Sequence, residues 1–130
     1  MRIAYGDLIG GISGDMFAGA MLDLGLSLSK LKAELKKIPS LKYRLEVTKK
    51  TIYSIRATQF HVICPHQESA RSWKQIRSLI AGSRLSPEVK DTGTDIFCRL
   101  AEAESKIHGI PPEKVHFHEL GATDSLVDIL

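Results

Sequence analysis

The spacing of apolar residues changes period twice along this chain, and those changes limit its fold more than any other feature. From Met16 to Ile38 apolar side chains recur every three or four residues, the period of helices lying on a core. Met16, Phe17, Ala20, Met21 and Leu24 make one stripe, ended by Gly25. Leu28, Leu31, Leu35 and Ile38 make a second, opened by Ser27 or Ser29 and stopped by Pro39. At Leu41 the period becomes two. Leu41, Tyr43, Leu45 and Val47 alternate with Lys42, Arg44 and Glu46, which predicts a half-buried strand, with a partner over 55–64. Neither Asn-Gly nor Asp-Gly lies between them, so the sequence leaves the turn type open.

The helical period then returns. One helix is predicted over 69–81, and another opens at Ser86-Pro87-Glu88, where Ser86 suits the N-cap and Pro87 the first helical position. Its stripe is Val89, Ile96, Phe97, Leu100, Ala103 and Ile107, and Gly109 ends it. Gly93 weakens the middle by about 1 kcal/mol relative to Ala. Ile3 to Tyr5 and Val115 to Glu119 read as short strands. This order argues the α+β class: a small layered domain of about four short strands with four to five helices, strand order undetermined.

With 130 residues, 43% of them hydrophobic, the chain has room for one domain with a real core and not for two. It stops at Ile129-Leu130 inside an apolar run without a helix stop signal. The expectation is a single N-terminal domain, 1–130, cut within a helix. Leu126, Val127, Ile129 and Leu130 would then fray, pair with a missing C-terminal region or partner chain, or drive a homo-oligomer.

The net charge of +3 hides a split: ten basic residues against five acidic in the first sixty positions, eight against ten in the rest. The lysines are spread along a helix and a strand without interleaved aromatics, which argues against a nucleic-acid surface. Cys64 and Cys98 belong to no Cys-x-x-Cys pair. The N-terminus lacks a signal-peptide pattern, and the apolar stretch from Met16 to Leu28 is broken by Asp23 and too short to span a bilayer. A cytoplasmic protein with no membrane partner is expected.

Two segments carry chemistry. In the first, His116, His118, Glu119, Asp124 and Asp128 crowd two imidazoles and three carboxylates into the last fifteen residues. An extended 115–119 puts His116 and His118 on one face, and a following helix puts Asp124 and Asp128 on one face. Mixed N/O ligands suit nickel, zinc or manganese without choosing among them. In the second, Gly10, Gly11, Ser13 and Gly14 form a glycine loop before a helix, able to offer backbone N–H groups and a positive helix end to an anion. It lacks the Lys-Ser/Thr ending of a P-loop, and Asp7 and Asp15 flank it as alternative metal ligands or, for Asp15, as a capping charge. His61 alternates with Phe60 and Val62 and reads as a strand histidine, exposed or hydrogen-bonded; His108 suits a helix C-terminus.

The segments Tyr5-Gly6-Asp7 through Gly11-Ile12-Ser13-Gly14-Asp15-Met16, Arg99 through Gly109, and Val115-His116-Phe117-His118-Glu119-Leu120-Gly121-Ala122-Thr123-Asp124-Ser125-Leu126-Val127-Asp128-Ile129 resemble the N-terminal region of the LarC family. The resemblance implies a nickel-insertion protein (nickel chelatase, a lyase) acting on pyridinium bisthiocarboxylic acid mononucleotide to make the nickel-pincer cofactor of lactate racemase. It further implies consumption of CTP with manganese or magnesium at a C-terminal domain outside this chain, so these residues alone are expected to be inactive. It assigns no catalytic residue. Family members carry a histidine-rich run before the helix near Ser69, where this chain has only His66. The rival expectations are a non-catalytic metal-binding or assembly domain completed by a partner chain, and a generic metal-dependent hydrolase.

Overall fold

The computed structural model describes residues 3–39, 41–64, 70–117 and 122–130. Among them are five α-helices and four strands in two small sheets, an α+β arrangement. Helix α1 (Gly14–Asp23) is followed by Gly25 at φ 104°, a left-handed turn that glycine adopts without penalty. Helix α2 (Leu28–Leu35) begins at Ser27, whose hydroxyl accepts the Lys30 N–H at 3.4 Å.

Strands β1 (Arg44–Ile52) and β2 (Ile55–Ile63) pair antiparallel, with Val47 opposite Phe60 and Ile52 opposite Ile55. The strands therefore run further than the alternation ending at Val47 predicts. They meet at a two-residue turn, Tyr53 at φ 48° and Ser54 at φ 65°, the pattern of a type I′ hairpin built without its usual Asn-Gly. Strand β3 (Arg71–Ser72) leads directly into α3 (Trp73–Gly82), where Ser72 and Gln75 form a reciprocal capping box. Helix α4 (Pro87–His108) has the Ser86 cap and Pro87 start expected of it and ends at Gly109 in the left-handed region. A single 3-10 turn, Pro112–Lys114, precedes β4 (His116–Phe117), which pairs with β3. The chain closes with α5 (Thr123–Ile129).

Two apolar clusters fill the interior. One joins Trp73, Ile76 and Ile80 of α3 to Phe97 and Ala101 of α4, with Phe117 and Leu126. The other gathers Leu35, Ile38, Leu45, Phe60, Leu85 and Val127. Consecutive residues of α5, Leu126 and Val127, thus enter different clusters, and Leu41, Leu79 and Leu130 pack against both. Arg71 donates to the Thr123 hydroxyl at 3.2 Å, tying α5 to β3 at its first turn.

Several expectations are corrected. Ile3 to Tyr5 form no strand, and both Ile3 and Tyr5 lie exposed. Helix α1 turns much of its apolar stripe outward: Met16, Phe17 and Leu24 are exposed, while the buried residue is Gly19. The cause is a backbone approach, since a Cβ at Gly19 would stand 2.6 Å from the Thr58 carbonyl oxygen of β2. Finally, the apolar end of the chain does not project. Leu126 is fully buried, and Leu130 packs so closely on α4 that its Cδ2 would meet a Cβ at Gly93 at 2.3 Å. The stripe of α4 is likewise narrower than predicted, with Gly93, Phe97 and Ala101 buried in one row and Ile107 exposed beyond the end of the core. No described helix is long and apolar enough to cross a membrane.

Candidate functional site

The start of α1 and one face of α5 meet around Asp128. Contact is possible because residue 14 is glycine: an added Cβ would lie 2.3 Å from Asp128 Cβ and 2.8 Å from its Cγ. The Asp15 backbone N–H donates to the Asp128 carboxylate, where the positive end of α1 favours negative charge. The other oxygen, Asp128 Oδ1, is buried without a hydrogen-bond partner. Asp124, one turn earlier on α5, stands on the same side. Together with Asp15, Val62 and His61 of β2, these two aspartates line a small cavity of about 110 Å³.

Electrostatics mark this place. Burial pushes the Asp128 carboxyl up to about 6, helped by the neighbouring charges of Asp15 and then Asp124, while the Asp15 N–H pulls the other way. Asp15 Oδ1 accepts the Ser13 hydroxyl and the Met16 N–H, the latter at 2.8 Å. Asp124 Oδ1 accepts the Ser125 N–H at 2.7 Å. Three carboxylates thus share one cavity, no described lysine or arginine lines it, and Asp128 keeps an acceptor free. A cation entering there would relieve both the repulsion and the unmet acceptor. Oxygen and imidazole donors suit first-row divalent ions. Among the described residues, however, no three His, Cys, Asp or Glu side chains converge into a preformed metal site.

The other sequence candidates lie elsewhere. His116 is exposed on β4 and lines a different cavity, of about 400 Å³, with His108 and Lys114. His118 and Glu119, like His66, lie outside the described residues. Asp7, Gly10, Gly11 and Ser13 line one open depression of about 650 Å³ beside Met16, with Gly11 at φ 82° and its N–H donated to Leu8 O at 3.0 Å. Gly14 does not join that depression; its role is close packing on Asp128. Asp15, Asp124 and Asp128, proposed from two distant motifs, do come together.

Sequence reasoning missed His61. Period two places it on the face of β2 opposite Thr58 and Phe60, which meet α1 and α5, and nothing local says that this end of the strand borders the cavity. At the other end of α1, Lys49 and Thr58 both hydrogen-bond Asp23, fastening the helix to the hairpin. These bonds, Lys49 foremost, hold the Asp23 carboxyl below its usual range.

The family model described as Nickel insertion protein matches residues 4–130. Among similar chains, the pyridinium-3,5-bisthiocarboxylic acid mononucleotide nickel insertion protein of Geobacillus kaustophilus is 45% identical over 140 residues, covering all of this chain and 34% of its own length. The protein of the same name from Desulfitobacterium hafniense is 42% identical over 130 residues, covering all of this chain and 32% of its own. The chain therefore spans about a third of the length of the relatives it matches. No solved structure matches it.

Proposed function

The chain belongs to the nickel insertion protein family, and from that membership we propose that it is the nickel-handling N-terminal part of a nickel chelatase. The substrate of the intact protein is pyridinium-3,5-bisthiocarboxylic acid mononucleotide, the product is the nickel-pincer cofactor that serves lactate racemase, and CTP with manganese or magnesium acts outside residues 1–130. The observation that supports a nickel site here is that Asp15, Asp124 and Asp128 line one cavity beside His61.

Nickel is cargo in this reaction, so its holder must bind it and release it. Carboxylate and imidazole donors suit that task, because they leave the ion free to exchange toward the sulfur atoms of a thiocarboxylate substrate. Asp128 contributes a proton switch: its carboxyl stays protonated further up the pH scale than an ordinary aspartate, and an arriving cation displaces that proton. In this proposal His116, His118 and Glu119, just ahead of α5 in the sequence, hold nickel and pass it on, with Asp124 and Asp128 as further ligands. The depression at Gly10, Gly11 and Ser13, next to the N-terminus of α1, takes the phosphate of the mononucleotide, with Asp7 at its rim. Gly14 assists indirectly by letting Asp128 approach.

Calorimetric titration of nickel into the metal-free chain tests the assignment. Tight binding is expected in the parent, and its loss in the Asp124→Asn/Asp128→Asn double variant. A titration curve unchanged in that variant would overturn the carboxylate site. His118→Ala reads separately whether the imidazole ahead of α5 contributes.

A further inference from the structure

The open depression at the glycine loop, the groove between α1 and the hairpin, and the carboxylate cavity form one continuous surface. Ile9, Ile12 and Met16 line the first; Met16 and Ile52 line the second; Asp15 belongs to both the second and the third. Ile55 stands opposite Ile52 in the ladder and extends the surface across the hairpin. Its apolar side chains lie in solvent: Ile9 is 92% exposed, Met16 59%, Ile52 58% and Ile55 72%. Isolated exposed apolar residues need no explanation, but a contiguous set bordering a polar cavity marks an interaction surface. On α1, Gly19 packs against β2 while Met16, one turn earlier at the mouth of the groove, stays in solvent.

Relative length points to an occupant for this surface. They contain all of this chain at above 40% identity, together with about twice as much further polypeptide. We propose that the polypeptide making up the remaining two thirds of those relatives packs on the face formed by Ile9, Ile12, Met16, Ile52 and Ile55, and that in doing so it walls the open side of the carboxylate cavity at Asp15. The contact lies on the glycine loop, α1 and the hairpin, not on α5, whose apolar side chains Leu126 and Val127 are already buried within this chain. It rests on exposure and relative length alone and is independent of which metal the cavity takes.

Carbene footprinting of metal-free protein tests it, comparing this chain with the full-length Geobacillus kaustophilus relative. Peptides carrying Ile9 to Met16 and Ile52 to Ile55 are expected to label several-fold more heavily here than the matching peptides of the long protein, with the peptide around Ile107 labelled alike in both. Equal labelling of the face in the two proteins overturns the proposal. So does sedimentation of this chain as a dimer with the face protected, since a second copy would then be the occupant. Placing lysine at the positions matching Ile52 and Ile55 in the long protein, exposed sites in this fold, should restore labelling over the stretch matching Ile9 to Met16. Protection that survives both lysines would also overturn it.

Discussion

Single atoms decide whether the two helices of the site can meet. Replacing Gly14 by Ala would normally strengthen a helix by up to about 1 kcal/mol, yet here the new methyl would sit 2.3 Å from Asp128 Cβ. Overpacking of that kind costs about 1–3 kcal/mol, so Gly14→Ala should destabilise the chain, whereas Gly82→Ala, with nothing within 4 Å, should not. Urea denaturation of the two variants checks the opposite signs. Asp128 gives a pH signature. Its carboxyl ionises at about 6 in the folded chain against 3.8 ordinarily, so the unfolded state loses its proton first. The stability this group contributes is complete below about 4 and is lost as pH rises toward 6. Asp128→Asn should therefore melt close to the parent at pH 4 and above it at pH 7 without metal. Adding nickel should reverse that order by raising only the parent, by about 2.7 kcal/mol at a hundredfold excess over Kd. Thermal melts across pH, with and without nickel, read both effects.

At the level of elements, the hairpin and α5 carry opposite lessons. Tyr53 and Ser54 both occupy positive φ, a region that costs an ordinary residue about 1 kcal/mol and glycine little. Ser54→Gly should accordingly stabilise the hairpin by about 0.5–1 kcal/mol, seen as a higher denaturation midpoint with unchanged slope. The turn exists despite its sequence because nine residue pairs of ladder and the packing of Phe60 hold the strands in register. Helix α5 has only seven residues, too few to persist alone, and is stabilised by what it buries. Leu126→Ala should cost about 2–5 kcal/mol and should loosen Asp124 and Asp128 with it. Nickel affinity falling alongside stability in that variant would link core packing to the site.

Considered whole, the chain has a packed interior and an apolar face that lies in solvent. Its share of the relatives' length predicts that, alone with nickel, the mononucleotide, CTP and manganese, it yields no nickel-loaded product, while the full-length Geobacillus kaustophilus protein does. A turnover assay on both proteins decides this, and product from the short chain would place the insertion site within these 130 residues.

Periodicity and capping patterns by themselves determined the α+β class, the two alternations and the helix ends at Ser86 and Gly109, and left the start of α2 at Ser27 or Ser29, because those depend on neighbours within a few residues. Ligand chemistry put Asp15, Asp124 and Asp128 among the candidate ligands together with His116, His118, Glu119 and Asp7. What only the tertiary structure decided is which of these residues share a cavity. It joined Asp15 to a helix more than a hundred positions away, brought in His61 from a strand that reads as ordinary, and sent His116 to another surface. It also left Met16 exposed, against its local pattern, and seated Leu126 in the core of this chain. The meeting of α1 with α5 and with β2 depends on close approaches, of Asp128's side chain at Gly14 and of Thr58's backbone at Gly19, and a glycine in a sequence permits such an approach without saying what will fill the space.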